Sequence, residues 1–320
     1  MPLEYSAISF QDLPGWDADP ILEAVPAFLS SATAILQKEE KCQWYSFYKA
    51  VQDLALAQAS EQEWRAFLQK TLAPYRLSFD HQTEGLFTGY YEPLLNGSLK
   101  PYGQYQTPLY QLPPFDVNLP RSKIVSGALA GKGLELVWVD DPIDAFFLQI
   151  QGSGRVRLEN DQIIRLGYAG TNKHPYYPIG KSLIQRGLLD PAQVSLQTIK
   201  RWLWDHPDQA EDLMSENSSY VFFKILSEQG PLGTQGVPLT PRRSLAVDQT
   251  YYSLGSLMWI DLPHPTQNNQ RLQQLMVAQD TGGAIKGGLR GDYFWGFGQE
   301  AEYHAGKMNV RGTLYAFLPI

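Results

Sequence analysis

Between residues 60 and 74, apolar positions recur at the spacing of one helical face. They are Trp64, Phe67, Leu68 and Leu72. Ser60 and Glu63 form a capping-box pattern at the start of this segment, and Pro74 lies just beyond its end. We therefore predict a packing helix here, within a mostly helical stretch covering the first 80 residues.

From Gly85 onward the pattern changes to short apolar and aromatic runs separated by Gly and Pro, which is typical of strands. The predicted strands are Leu86–Tyr91, Leu134–Val139, Phe146–Gln151, Gln162–Tyr168, Ser244–Asp248, Ser256–Asp261, Gln274–Gln279, Asp292–Trp295 and Thr313–Leu318. Helical spacing returns over Ile179–Arg186 and Ser195–Trp204. Because helices and strands do not alternate regularly, the order of the predicted elements favours an α+β fold rather than a doubly wound parallel sheet.

Length and charge narrow the classes of function. A chain of 320 residues is long enough for two domains. Its net charge of −7 and the lack of Lys/Arg runs argue against a nucleic-acid partner, whose affinity comes chiefly from phosphate neutralisation. The 40 Tyr, Phe and Trp residues offer flat faces on which sugar rings could stack.

Cofactor and metal chemistry finds little support in the sequence. Cys42 is the single cysteine, and the five His are scattered, so we expect no disulfide framework and no metal site. The segment 296–301 fits the pattern G-x-G-x-x-A, but only 19 residues follow it, too few to complete a dinucleotide-binding unit. We expect no cofactor.

No export or membrane signal is visible. The most apolar uncharged stretch, Ala24–Gln37, is too short to span a bilayer. No basic segment precedes it, because the first Lys or Arg is Lys38. A secretory signal peptide is therefore not recognisable in this numbering.

The strongest local signal is the glycine-rich segment 280–298, which has an aspartate at its start and another within it. Asp292 precedes Tyr-Phe-Trp, an apolar wall that would disfavour its ionised form. A carboxyl group kept neutral beside aromatic rings is suited to act as the acid in glycoside cleavage. The alternative is that Asp280 and Asp292 only cap turns.

Three other clusters mix aromatic, amide, hydroxyl and glycine residues as a sugar-binding wall would. They lie at 88–93, 146–154 and 168–172. In the predicted strand, Gln149 and Gln151 would point to the same side. The candidate substrate-binding residues are Thr88, Tyr90, Gln149, Gln151, Ser153, Gly154, Tyr168 and Asn172. Each cluster taken alone is more typical of plain strands and turns than of a binding wall.

At these residues the chain resembles the membrane-bound lytic murein transglycosylase A family. The matching motifs are TGYYEP (88–93), FFLQIQGSGRV (146–156), GYAGTNKHPYYPIGKSL (167–183), SSYVFF (218–223), GPLGTQGVPLTPRRSLAVD (230–248) and DTGGAIKGGLRGDYFWGFGQEAEYHAGKMN (280–309). The resemblance implies a mainly β protein. A double-psi β-barrel would form from residues 1–92 and 233–320, with helices at its N-terminus. Residues 93–232 would be an inserted β-rich domain that forms the other wall of a glycan groove.

The resemblance also implies the chemistry. Asp292 matches the family's catalytic acid, and Asp280 and Asp248 complete its three aspartates as supporting residues. The implied reaction cleaves the β-1,4 bond between N-acetylmuramic acid and N-acetylglucosamine without water and leaves 1,6-anhydromuramoyl ends. Two alternatives stay open: a hydrolase that uses Asp280 with Asp292, and a barrel that binds polysaccharide without catalysis.

Location and partners follow from the resemblance alone. It implies peptidoglycan strands as the partner, a monomer, and a place in the periplasm or cell envelope. Relatives in Gram-negative bacteria are lipoproteins with a lipidated Cys, whereas Cys42 lies too far from the start of this chain for that role. An outer-membrane association is therefore not visible in the sequence.

Overall fold

A computed structural model describes residues 2–38, 42–227 and 230–320 of the protein. Within them the helices are α1 (Val25–Leu36), α2 (Tyr45–Leu56), α3 (Glu61–Thr71), α4 (Arg121–Lys123), α5 (Pro142–Gln151), α6 (Ile179–Gln185), α7 (Leu196–Asp205), α8 (Pro207–Ser215) and α9 (Gln299–Lys307). The strands are β1 (Leu3–Ala7), β2 (Leu72–Phe79), β3 (Gly85–Glu92), β4 (Leu94–Ser98), β5 (Thr107–Tyr110), β6 (Glu135–Val139), β7 (Gly154–Leu158), β8 (Ile163–Thr171), β9 (Val221–Leu226), β10 (Ser244–Val247), β11 (Leu257–Pro263), β12 (Arg271–Asp280), β13 (Arg290–Phe297) and β14 (Asn309–Pro319).

The N-terminal helix α3 has the predicted start and the predicted packing face. The backbone N–H of Ser60 donates to Glu63 Oε2 at 2.7 Å, and the Ser60 hydroxyl accepts from the Glu63 N–H. Trp64 and Leu68 are buried on the side that faces the core. The capping box and the apolar stripe of the sequence are therefore confirmed.

The prediction of a mostly helical start was wrong at two strands. Strands β1 and β2 pair antiparallel with each other, and β2 also pairs with β14 at the other end of the chain. Strand β2 begins directly after α3, at Leu72, which the helical pattern had included. Pairing with a distant segment decides the conformation here, and local periodicity carries no information about it.

A compact unit contains Met1–Tyr90, Leu232–Gly296 and Met308–Ile320. Its sheet has the strand order β1-β2-β14-β11-β12-β10-β13-β3, and an additional pairing joins β14 to β3. The six strands from β14 to β3 therefore close into a barrel. Strand β10 pairs parallel with β12 and antiparallel with β13.

The core of this unit lies between the N-terminal helices and one wall of the barrel. Phe28 of α1 and Trp64 of α3 pack in one cluster with Trp259, Val277 and Phe317 of the strands. Aromatic rings contribute much of this interface; the centroids of Phe28 and Trp64, for example, lie 5.8 Å apart. The mainly β, α+β fold class with N-terminal helices is confirmed.

The second compact unit contains Tyr91–Pro231 and Phe297–Lys307. Its six-stranded sheet has the order β5-β6-β4-β7-β8-β9. Helix α5 packs on this sheet through Leu148, which shares a cluster with Val137, Val156 and Phe223. Its other side packs against α6, α7 and α8.

Residues 146–151 form part of helix α5, so the predicted strand there was wrong. The Asp141 side chain caps the helix, since its Oδ1 accepts from the Ile143 N–H at 2.6 Å and from the Asp144 N–H. Pro142 occupies the first turn, and Gly152 ends the helix in the left-handed conformation. Side chains two residues apart point about 200° apart on a helix, so Gln149 and Gln151 do not share a face.

The second unit also includes a segment that the sequence analysis placed with the barrel. The predicted barrel domain took all of residues 233–320, whereas residues 297–307, with helix α9, belong to the second unit. Glu302 of α9 accepts from the buried Lys200 ammonium at 2.8 Å, and its backbone carbonyl accepts from Gln197. That residues 93–232 fold as an inserted domain stays a prediction.

Candidate active site

Two of the predicted aspartates lie on either side of one short strand. Ala246 of β10 is in register with Asp280 on β12 and with Asp292 on β13. Neighbouring strands lie about 4.8 Å apart, so this register separates the two aspartate backbones by about 10 Å. The register between β10 and β12 shifts at Leu245/Ala246, which bends the strand next to the aspartates.

Asp292 is held by a two-step chain of hydrogen bonds. The Thr88 hydroxyl on β3 donates to Asp292 Oδ1 at 2.6 Å, and the Arg290 guanidinium donates to the same Thr88 oxygen at 2.7 Å. Because Thr88 accepts from Arg290, its own hydrogen is directed at Asp292. Arg290 and Asp292 are two residues apart on β13 and therefore share a face of the strand.

The environment of Asp292 favours its protonated form. Burial raises its pKa to about 6, and the nearby negative charge of Asp280 acts in the same direction. The hydrogen bond from Thr88 and the positive charge of Arg290 oppose this rise without cancelling it. A carboxyl group with this pKa can both give and take a proton close to neutral pH.

Asp280 differs in that donors surround its carboxylate. Its Oδ1 accepts from the Thr234 N–H at 2.9 Å, the Thr234 hydroxyl at 3.0 Å and the Thr281 N–H at 2.9 Å. Its Oδ2 accepts from the Tyr90 hydroxyl at 3.0 Å. Burial raises the pKa of Asp280, and these hydrogen bonds oppose the rise.

Tyr90 links this carboxylate to the aromatic wall beside Asp292. Its ring lies 5.1 Å from that of Phe294, centroid to centroid. Burial, followed by the charges of Asp280 and Asp292, raises the pKa of Tyr90 well above its usual value. The hydroxyl therefore stays protonated and acts as a donor.

Asp248, the third aspartate, holds the glycine-rich loop. Its Oδ2 accepts from the Gly287 N–H at 2.8 Å, and its Oδ1 accepts from the backbone and hydroxyl of Thr250. Gly287 has φ 110°, a conformation that side-chain-bearing residues rarely adopt. The hydrogen bond from Gly287 is the main reason that the pKa of Asp248 is lowered, so it is a carboxylate at neutral pH.

The other predicted binding residues lie in the second unit and differ in accessibility. Tyr168 is exposed, whereas Gln151 Oε1 accepts from the Tyr91 N–H. Ser153 is half-buried and immediately precedes β7. A Cβ on the adjacent Gly154 would lie 2.0 Å from Leu148 Cδ1, so close packing requires glycine there.

Asn172 and Gln149 are buried. The Asn172 amide donates to the carbonyls of Leu119 and Ser218, both at 2.8 Å, and its Oδ1 accepts from the Tyr220 N–H. These bonds tie loops together and leave the side chain little capacity for a ligand. Gln149 Oε1 has no hydrogen-bond partner in the described part of the chain.

Arg290 and Thr234 are functional-site residues that were not predicted from the sequence. Arg290 could have been found, because an alternating strand places residues i and i+2 on the same face, and Asp292 was already a candidate. Thr234 could not, since nothing local connects it with Asp280, 46 residues later.

Within residues 2–38, 42–227 and 230–320, no group of three or more His, Cys, Asp and Glu side chains is arranged to hold a metal ion. Over the same ranges, no helix has both the length and the hydropathy to cross a membrane.

Two family models match the chain. The MltA specific insert domain matches residues 86–120 and 115–224, and the 3D domain matches residues 243–318. The second range includes Asp248, Asp280 and Asp292.

Curated relatives of known sequence are named membrane-bound lytic murein transglycosylase A. The membrane-bound lytic murein transglycosylase A of Vibrio cholerae is 36% identical over 243 residues, 74% of this chain and 66% of its own length. That of Escherichia coli K12 is 36% identical over 236 residues, 72% of this chain and 64% of its own length. The matched part thus spans just under two thirds of these relatives.

Solved structures match over nearly the whole chain. A membrane-bound lytic murein transglycosylase from Agrobacterium tumefaciens is 32% identical in sequence and has a TM-score of 0.87. The match includes 99% of this chain and 98% of the Agrobacterium chain. E. coli MltA with bound chitohexaose is 30% identical in sequence and has a TM-score of 0.81. The match includes 98% of this chain and 94% of the E. coli chain. These matches confirm the mainly β, α+β fold class expected from the resemblance, and this chain belongs to the membrane-bound lytic murein transglycosylase A family.

Proposed function

We propose that the protein is a lytic transglycosylase of peptidoglycan. It cleaves the β-1,4 bond between N-acetylmuramic acid and N-acetylglucosamine without water, and Asp292 acts first as acid and then as base. The observation that carries the proposal is the environment of Asp292, where burial raises the pKa to about 6 while Thr88 holds one carboxyl oxygen. The names of the relatives support the substrate class.

The arrangement around Asp292 supports a position for the acidic proton on one of its two oxygens. Oδ1 accepts the Thr88 hydrogen, and among the described residues nothing donates to Oδ2. The acidic hydrogen therefore belongs on Oδ2, from which it passes to the glycosidic oxygen as the bond to C1 breaks. The leaving sugar departs as a neutral alcohol, and Asp292 becomes a carboxylate.

The same carboxylate completes the reaction. It takes the proton from the C6 hydroxyl of the muramoyl residue as that oxygen forms a bond to C1. The product is a 1,6-anhydro sugar, and Asp292 is protonated again. One carboxyl group is enough because the nucleophile belongs to the substrate, whereas glycoside hydrolases need two.

The hydrogen bonding of Asp280 argues against the hydrolase alternative. A base or nucleophile needs a lone pair free for water or for C1. Asp280 Oδ1 already accepts three hydrogen bonds, from Thr234 and Thr281, and Oδ2 accepts one from Tyr90, so fewer lone pairs are available than on Asp292. We assign Asp280 to holding these groups in place, and Asp248 to holding the loop at Gly287.

The proposed substrate also gives the location. Peptidoglycan lies in the cell envelope, so we place the protein there, in the periplasm. We propose that Thr88 and Tyr90, which contact the two aspartates, are the substrate-facing residues of the barrel unit.

Digestion of purified murein sacculi tests the proposal against a barrel that only binds polysaccharide. The enzyme releases soluble muropeptides, whereas a binding protein co-sediments with the sacculi and releases none. Asp292→Asn is the matched control, since it should still co-sediment without releasing fragments. Retention of the wild-type protein on sacculi without any release would contradict catalysis.

A further inference from the structure

The second unit contains a cavity that the proposed reaction does not use. Its volume is about 310 Å³, at the lower end of the range for small-ligand sites. Much of its lining is apolar, with Ile124, Ile143, Phe146 and Met214 among the contributing residues. The few polar groups in the lining therefore determine what it can bind.

Arg121 is the buried positive charge of this cavity. The residue is 3% exposed, its Nε donates to the Asn217 carbonyl at 2.9 Å, and its Nη2 donates to the Ser219 carbonyl at 2.5 Å. The guanidinium lies 4.6 Å from the centroid of the Phe146 ring. Among the described residues no carboxylate lies within ion-pairing distance of it, so its charge lacks a counter-ion.

Gln149 supplies a second unsatisfied group. It is 5% exposed and lines the same cavity, and its Oε1 has no hydrogen-bond partner among the described residues. A buried acceptor without a donor lowers the stability of the folded protein. A ligand that carries an N–H group would remove this loss of stability.

We propose that this cavity binds the C-terminal residue of a peptide, in which an amide N–H lies one carbon away from a carboxylate. The carboxylate pairs with Arg121, the N–H donates to Gln149 Oε1, and a small apolar side chain contacts the apolar lining. An isolated anion would leave Gln149 unsatisfied, and a neutral apolar molecule would leave the charge of Arg121 uncompensated.

Glu211 also lines the cavity and modulates the proposed affinity. It is exposed, so water screens its charge, and it lies at the solvent side of the site. Its negative charge disfavours an approaching carboxylate. Removing that charge should therefore tighten binding, whereas a site for a cation would lose affinity.

Titration calorimetry on the full chain tests the proposal. The probe is N-acetyl-D-alanyl-D-alanine, and the control is its C-terminal amide. The acid should bind at least about tenfold more tightly than the amide, because the amide loses a charge-assisted pair. Equal affinity, or no binding of the acid below about 10 mM, would overturn the proposal.

Two variants locate the binding in this cavity without depending on Arg121, whose loss could disturb folding. Gln149→Leu should lower the affinity for N-acetyl-D-alanyl-D-alanine about three- to tenfold. Glu211→Gln should raise this affinity about two- to fivefold. Unchanged affinity in both variants, with unchanged circular dichroism spectra, would overturn the assignment.

The corresponding L,L-dipeptide is a second probe in the same calorimetric experiment. Comparison of its affinity with that of the D,D-form distinguishes the source of the peptide. Preference for the D,D-form indicates a stem peptide of the cell wall, and preference for the L,L-form indicates the C-terminus of a protein. Either preference supports the site. The assay uses no murein and measures no turnover, so its result is independent of the proposed transglycosylase activity.

Discussion

Asp280 and Asp292 lie opposite the same alanine on the two strands that flank β10, yet their environments differ. Asp280 is surrounded by two backbone N–H groups and two hydroxyls, contributed by Tyr90, Thr234 and Thr281. Asp292 accepts a single hydrogen bond, from Thr88, and its pKa is raised to about 6.

This difference teaches that neighbours, not residue type, determine the role of a buried carboxylate. Several donors fix a carboxylate in place and occupy most of its lone pairs, which suits a structural anchor. Burial with few donors leaves one oxygen free and makes proton exchange possible near neutral pH.

The largest effect is expected for Asp292→Asn, which keeps the shape of the side chain but removes its proton. Turnover of murein should fall about 10²- to 10⁴-fold, because general acid–base catalysis contributes about that much. The rate of muropeptide release measures it. Retention of more than about a tenth of the wild-type rate would place the acid elsewhere.

Asp280→Asn alters the other side of the comparison. An amide can no longer accept from all its present donors, so the free energy of unfolding should fall by about 2–3 kcal/mol. Chemical denaturation measures the change. A variant as stable as the wild type but without turnover would instead support the hydrolase alternative, in which Asp280 reacts directly.

The stability of Asp292→Asn should depend on pH in a defined direction. The pKa of Asp292 is higher in the folded protein, about 6, than in the unfolded chain, about 3.9. As pH rises between these values, ionisation of Asp292 therefore lowers the free energy of unfolding of the wild type. The variant has no ionisable group there and does not lose this stability. At pH 7 the variant should be about 1–2 kcal/mol more stable, and at pH 3.5 the gain should vanish.

The smallest effect is a shift in the pH profile on replacement of Thr88. The wild-type kcat/KM should decline above a pH of about 6, as the free enzyme loses the proton of Asp292. The Thr88 hydrogen bond favours the carboxylate, so Thr88→Val should raise the pKa and move this decline to higher pH by less than about one unit. Thr88→Ser, which keeps a hydroxyl, should leave it in place, and a shift to lower pH would contradict the account.

Local sequence signals predicted much of the structure. The capping box at Ser60 and the strands that carry Thr88, Asp280 and Asp292 follow from apolar periodicity and turn residues. The candidate acid follows from the apolar run after Asp292. In each case a short segment contains the information that decides its own conformation.

Long-range contacts account for what was missed. Strand β2 depends on pairing with β14, and the Thr234 bonds to Asp280 join residues far apart in the chain. The incorrect prediction of a strand at 146–151 has a different cause, because the apolar run there fits both a strand and a buried helix. The signal that decides it, Asp141 followed by Pro142, lies outside the run.

The central claim is that the substrate's own C6 hydroxyl, and not water, attacks C1 after Asp292 has protonated the leaving oxygen. Digestion of murein in water enriched in heavy oxygen tests this directly, with mass spectrometry of the released ends. The account predicts 1,6-anhydromuramoyl ends that carry no label and lack the mass of one added water. Reducing ends that contain heavy oxygen would contradict it and would identify the protein as a hydrolase.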